Sequence, residues 1–334
     1  MSNSALSSAR SAPAGRVAVV IPCFREREHI LSVLDGMPRF VDYIICVDDG
    51  CPDGTGKHVE MHCEDPRVEV IYRDRNEGVG AAMVTGYRRA LETDARIVVK
   101  VDGDGQMDPA LMERFIAPIA AGRADYTKGN RFYRIEDVRA MPATRLVGNA
   151  AFSFMSKLST GYWHLFDPLN GYTAIHRAVL QLLPLERLAR GYFFESDMLF
   201  RLNTLRAVVI DVPMPAQYGA ETSHIRTALE LPRFLLGHAA NLLKRIGYNY
   251  FLRDFHVASL EWILGPCLMA FGFVFGIYQW YDHYLRSEVA TAGTVMLAAL
   301  PLIVGVQLTL STLQFDMSNR PSVPLHTLVD DDGS

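Results

Sequence analysis

The sequence predicts a layered α/β domain built of strand-helix units, followed by a helical and strongly apolar C-terminal part. Three observations carry that prediction. Short β-branched runs alternate with helical stretches from residue 16 to about residue 101, acidic and glycine-rich segments fall where those runs end, and two charge-free stretches lie between residues 262 and 315. The chain has 334 residues, 49% of them hydrophobic, enough for one large domain and something smaller. A formal net charge of −4 gives no general electrostatic reason to expect nucleic acid as a partner. The five cysteines form no C-x-x-C pair, which argues against a zinc site or redox dithiol and suits a reducing compartment.

Residues 1–15, "MSNSALSSARSAPAG", lack a continuous apolar core of the secretory kind and are expected to form a disordered tail. Then come "VAVVI" (17–21), "YIICV" (43–47), "VEVIY" (68–72) and "IVVKV" (97–101), near-continuous apolar runs of the kind found in a parallel sheet covered on both faces. Helices are expected from about residue 26 to 34 and from 79 to 91. Sheets of this kind bind ligands beyond the carboxyl ends of their strands. The special residues fall there: Pro22 to Glu26 after the first run, "DDGCPDGT" (48–55) after the second, and "DGDGQMDP" (102–109) after the fourth. The catalytic domain is bounded at 16–225.

Residues 226–256 are expected to form amphipathic interface helices, because apolar positions at 235, 236, 239, 242, 243 and 246 alternate with Lys244 and Arg245. Within 257–315, two stretches are each long enough for the roughly 20 residues a helix needs to cross the hydrocarbon core, so a two-span transmembrane hairpin is expected. Gly272 and Gly276 supply a small-residue face for close packing, and Pro301 interrupts the second stretch. Arg226, Arg233, Lys244, Arg245 and Arg253 precede the first stretch, whereas the connection "DHYLRSEV" holds only Arg286. That bias predicts a multi-pass membrane protein of the cytoplasmic (inner) membrane, with the catalytic domain and a tail at 316–334 on the cytoplasmic side.

Asp102 and Asp104 put two hard oxygen donors on one short turn, and Gln106 adds a neutral carbonyl oxygen. Such ligands suit Mg²⁺ or Mn²⁺, which keep several waters and share a substrate phosphate. Two other nucleotide motifs fail. "GVGAAM" has Met83 where a dinucleotide fingerprint wants its third glycine, and "CPDGTGKH" has Cys51 and His58 where a P-loop wants glycine and Ser/Thr.

"VVIPCFREREHI", "VDDGCPDGT", "NEGVGAA", "VDGDGQMDP", "KGNRF" and "DPLNGYTAI" occur in an order and spacing that resemble the inverting family 2 glycosyltransferases of GT-A fold. Among these the chain looks most like the dolichol-phosphate mannose synthase and polyprenyl-phosphate glycosyltransferase group. The resemblance implies a GT-A type nucleotide-sugar-binding sheet, a UDP- or GDP-sugar donor, Mg²⁺ or Mn²⁺, and a polyprenyl phosphate acceptor at the membrane lipid surface. It places Pro22, Phe24, Glu26, Asp48 and Asp49 around base and ribose. Asp102, Asp104 and Gln106 serve metal and diphosphate, and Arg131 and Arg145 hold the acceptor phosphate.

The residues themselves fit those roles without fixing them. Phe24 can offer an aromatic face to a base. Asp48 and Asp49 can accept from a base or ribose, or serve the turn. Arginine grips phosphate through two oxygens. Asp167 is a candidate base or orienter, or a turn residue beside Pro168, and Glu195 and Asp197 are further candidates. The stretch "PAQYGAETSHI", with Tyr218, Glu221 and His224, departs from the group's Arg and Lys. Two other readings stay open: transfer to a hydroxyl of a lipid-linked glycan, and an inactive scaffold that binds nucleotide-sugar. Self-association into a homo-oligomer is not decided by sequence.

Overall fold

In the computed structural model the described residues are 15–133, 143–215 and 227–329, with the side chains of 143–147 and 227–230 outside that set. In chain order the sheet and its helices are β1 (Val17–Cys23), α1 (Ile30–Asp35), β2 (Tyr43–Asp48), α2 (Thr55–His62), β3 (Val68–Tyr72), α3 (Val79–Glu92) and β4 (Ile97–Lys100). There follow α4 (Met112–Ala120), β5 (Tyr126–Asn130), α5 (Ala143–Thr160), β6 (Thr173–His176), α6 (Arg177–Leu182), α7 (Phe194–Thr204) and β7 (Val209–Pro213). The chain ends in α8 (Thr227–Ile246), α9 (Val257–Arg286), α10 (Ala292–Ser318) and α11 (Leu325–Val329).

Seven strands form one sheet in the order β3-β2-β1-β4-β6-β5-β7. The four apolar runs make its parallel half, β1 lying between β2 and β4 with Val19 opposite Ile44 and Val99. β6 enters antiparallel to both β4 and β5, and β5 pairs parallel with β7. The sheet is therefore mixed. That is a departure from the purely parallel pattern of the first hundred residues.

Alternation along β1 sorts the core. Val17, Val19, Ile21 and Cys23 face α1 and α4, where Ile30, Val33, Leu34, Phe115 and Ile119 are buried. Ala18 and Val20 face α3 and α7, against Ala82, Met83, Tyr87, Phe194 and Met198. β1, β2 and β4 are thus covered on both sides and read as continuous hydrophobic runs, whereas the edge strand β3 is only partly buried.

Two compact units divide the chain, one of residues 1–241 with 321–334 and one of residues 242–320. In the first, the C-terminal residues pack on the sheet: Leu325 N and His326 N donate to the fully buried Asp125 carboxylate, and His326 Nδ1 lies 2.7 Å from it. In the second, α9 and α10 run 30 and 27 residues and are long and apolar enough, by length and composition, to cross a membrane. They touch through small residues. A Cβ on Gly272 would meet Ala298 O at 2.7 Å, and one on Gly305 would meet Gly265 O at 2.7 Å. Arg245 forms a buried ion pair with Asp316 at 2.6 Å, and Tyr250 donates to the same carboxylate from a π-helical turn at Gly247–Arg253.

Candidate active site

β1, β2 and β4 all end on one edge of the sheet, and a cavity of about 530 Å³ opens beyond those ends. Pro22, Phe24, Glu26, Asp49, Asp102, Asp104 and Glu195, all singled out in the sequence, line it together with Lys100, Gly171 and Tyr192. Phe24 is 36% exposed, so its ring is available to a planar partner.

The two adjacent aspartates after β2 divide the work. Asp48 turns away from the cavity and accepts from Cys51 N and Gly56 N, both at 2.7 Å, fixing the turn into α2. Asp49 lines the cavity, held by Arg73 at 2.8 Å and by Gly78 N at 2.8 Å. Gly78 has a φ of 97°, so the amide reaches that carboxylate from a backbone conformation that favours glycine.

On the acidic turn after β4, Asp104 Oδ1 accepts from Gln106 N at 2.9 Å, so the role of Gln106 visible here is a backbone one, and its side chain is not among the cavity's lining. Asp102 pairs with Lys100 Nζ at 2.8 Å, and the same nitrogen lies 3.2 Å from Glu195 Oε1. The Lys100 side chain is 2% exposed. Burial alone would lower its pKa, but the Asp102 and Glu195 carboxylates outweigh that and raise it above the usual lysine range. Gly171 makes the arrangement possible: a Cβ there would meet Asp102 Oδ2 and Lys100 Nζ, both at 2.5 Å.

A second, smaller hollow of about 60 Å³ lies beside the first and shares Leu169 with it. Here Arg131 grips the buried Asp167, Nε to Oδ2 at 2.8 Å and Nη2 to Oδ1 at 3.2 Å. Behind them Lys128, fully buried, donates to Asn170 O, and its pKa falls to about 8 because burial outweighs the nearby carboxylates. Asp211 accepts from Phe166 N at 2.8 Å and Asn130 Nδ2 at 3.2 Å, and burial pushes its pKa up to about 6. Asp197 is committed to the scaffold, accepting from Ala189 N, Arg201 and Asn241.

The side chain of Arg145 and all of Tyr218, Glu221 and His224 lie outside the described residues. Lys100, Lys128 and Asp211 were not anticipated as site residues. Their signal is a charged residue inside a short strand: "IVVK", "YTKGN", "VIDVP".

Five carboxylates line the larger cavity (Glu26, Asp49, Asp102, Asp104, Glu195) against the single ammonium of Lys100. A diphosphate entering such a wall would be repelled unless a cation came with it. Among the described residues no three His, Cys, Asp or Glu side chains come together as a metal cage. Asp102 and Asp104 therefore fit a hard divalent ion that takes its other ligands from water and phosphate.

The family model described as "Glycosyl transferase family 2" matches residues 18–183. The chain is similar to a polyprenol monophosphomannose synthase of Mycolicibacterium smegmatis, 32% identical over 207 residues, covering 60% of this chain and 77% of that one. It is also similar to a UDP-N-acetylglucosamine–dolichyl-phosphate N-acetylglucosaminyltransferase of Methanococcus voltae, 30% identical over 216 residues, covering 60% and 86%. Among solved structures, glucosyl-3-phosphoglycerate synthase from Mycobacterium tuberculosis, in complex with Mn²⁺, UDP and glucosyl-3-phosphoglycerate, superposes with a TM-score of 0.52 at 24% identity, covering 70% and 80%. A second complex of that enzyme, with Mn²⁺, UDP-glucose and phosphoglyceric acid, matches with the same figures.

These findings correct the narrower expectations. The fold is shared with an enzyme whose complexes hold phosphoglyceric acid, so assignment to the dolichol-phosphate mannose synthase group and the polyprenyl phosphate acceptor do not follow from it. The multi-pass membrane location and the membrane-lipid partner are corrected with them. The ligands in those complexes are water-soluble, and two apolar helices argue for a membrane by length and composition alone. At the level the motifs, the mixed sheet and the relatives share, the chain belongs to glycosyl transferase family 2.

Proposed function

We propose that this protein moves a single sugar from a UDP-sugar to a phosphate-bearing acceptor, with Mg²⁺ or Mn²⁺ at the Asp102–Asp104 turn. The observation that carries the reading is the charge of the cavity: five carboxylates and one buried lysine at the carboxyl ends of β1, β2 and β4. The relatives support the donor and the cation, since UDP and Mn²⁺ are named in their complexes. They support the acceptor class as well, dolichyl phosphate and phosphoglyceric acid both carrying a phosphate.

In this reading Phe24 and Pro22 receive the base, and Asp49, held rigid by Arg73 and the Gly78 amide, accepts from base or ribose. The divalent ion supplies charge stabilisation to the leaving diphosphate. Asp102 and Asp104 hold that ion, and the buried floor around Gly171 keeps them in register with Lys100.

The test is a transfer assay on the purified full chain with a panel of UDP-sugars and Mn²⁺. Acceptor arms are 3-phosphoglycerate, glycerol 3-phosphate, polyprenyl phosphate and their unphosphorylated counterparts, with products read by mass spectrometry. The expected result is a glycosylated phosphate-bearing acceptor that disappears in chelator. Turnover that ignores chelator, or that reaches only unphosphorylated acceptors, would overturn the reading.

A further inference from the structure

We infer that Lys100 is a built-in counter-cation shared by Asp102 and Glu195, and that Glu195 exists to keep it when Asp102 turns to a metal ion. The inference rests on the metal-and-diphosphate reading of the cavity and adds a positioning pair to it.

Lys100 is the last residue of β4, and its ammonium is almost fully enclosed. A buried ammonium must be paired, because its desolvation is far too unfavourable otherwise. Two carboxylates meet it, Asp102 at 2.8 Å and Glu195 at 3.2 Å. They come from different places: Asp102 from the turn that continues β4, Glu195 from the first turn of α7, where a negative side chain also faces the positive end of the helix. One partner would satisfy the lysine. The second becomes intelligible once Asp102 has another duty.

A divalent ion taken up by Asp102 competes directly with Lys100 for the same carboxylate. Were Asp102 the sole partner, metal uptake would strand a buried positive charge beside a new one. Glu195 removes that penalty by retaining the ammonium. Gly171 closes the space on the other side, since a Cβ there would overlap both Asp102 Oδ2 and Lys100 Nζ, so the lysine has no room to swing away from its two partners. Before metal arrives, Lys100 also keeps Asp102 and Glu195 from facing each other unscreened.

The two members of this pair then act on metal affinity with opposite signs. Glu195→Gln leaves Lys100 with Asp102 as its only charged partner, so Mn²⁺ must displace a tighter ion pair. Lys100→Met removes the competitor, so Mn²⁺ binds more tightly without nucleotide, while UDP binding at saturating Mn²⁺ weakens for want of a positive charge. Each change is expected at about tenfold, the scale of one charge-assisted contact.

The experiment titrates Mn²⁺ into the full chain, wild type and both variants, reading free Mn²⁺ by electron paramagnetic resonance, with and without UDP, alongside thermal melts. Weaker Mn²⁺ binding in Glu195→Gln at unchanged melting temperature, and tighter binding in Lys100→Met, support the inference. Shifts of the same sign in both variants, or none in either, overturn it. If Lys100→Met does not fold, Glu195→Gln decides alone: weakened binding supports the shared counter-cation, unchanged or tightened binding overturns it. A wild-type chain that takes up no Mn²⁺ even with UDP would instead remove the metal reading itself.

Discussion

Arg131 and Asp167 face each other as a two-point ion pair, Nε to Oδ2 at 2.8 Å and Nη2 to Oδ1 at 3.2 Å, with the carboxylate almost fully buried. The sequence suggested separate duties for them, one on an acceptor phosphate and one as a base or orienter. In the structure the two side chains hold each other. Whatever Arg131 does for a ligand, it also neutralises Asp167.

Replacing Arg131 with Gln should therefore destabilise the fold, because it leaves Asp167 buried without its cation. The loss should be on the order of 2 kcal/mol, moderated by the partial exposure of the arginine. Asp167→Asn introduced into the same chain should recover most of it, since the uncompensated charge is then gone. Thermal or urea unfolding of the two singles and the double checks this. An Arg131→Gln protein as stable as wild type would mean the pair contributes nothing and the arginine is held for ligand alone.

Gly171→Ala should cost about 1–3 kcal/mol of stability and weaken metal-dependent nucleotide binding by about tenfold or more. The added methyl overlaps Asp102 Oδ2 and Lys100 Nζ, and two side chains that must move together lose their placement. Calorimetric titration of UDP with Mn²⁺ reads the effect. Undiminished binding would show that the placement of Asp102 does not matter.

Asp211 gives a pH dependence with a definite sign. Its carboxyl, raised from the ordinary value of 3.8 to about 6 by burial, holds a proton in the folded chain that the unfolded chain releases. The stability it contributes is present below about pH 4 and is lost as pH rises through about 6, an effect of up to roughly 2–3 kcal/mol. Asp211→Asn mimics the protonated form and should flatten this part of the melting-temperature profile, raising stability at pH 7 relative to pH 4.5. A profile of unchanged slope in the Asn variant would assign the dependence to other groups.

The C-terminal tie to Asp125 should matter to the sheet although it lies 200 residues away in sequence. Asp125 accepts from Val208 N, Leu325 N, His326 N and the His326 ring, and its pKa is held low by these donors against its burial. His326→Ala removes one of them and should destabilise by about 1–2 kcal/mol. An unchanged melting temperature would show the backbone donors alone suffice.

How much of this was legible follows from where each residue's stability comes from. Three of the four parallel strands announce themselves because both faces are covered, so "VAVVI" and "YIICV" are continuous hydrophobic runs, and the edge strand β3 follows them in composition. The acidic turn announces itself because two carboxylates straight after such a run have no role in a core. β5, β6 and β7 were not anticipated, since "YTKGN" and "VIDVP" carry charges whose burial is tolerated only through partners distant in sequence. Lys100 was hidden for the same reason. A lysine reads as surface until Glu195, 95 residues on, is seen beside it.

The central claim is that the carboxylate-lined cavity is a site for a metal and a nucleotide diphosphate together. The most direct measurement is calorimetric titration of UDP into the full chain, once with Mn²⁺ and once with chelator, repeated with Asp104→Ala. The account predicts binding at least about tenfold tighter with Mn²⁺ in the wild type, a gain absent from the variant. Equal affinity for UDP with Mn²⁺ and with chelator in the wild type would contradict it.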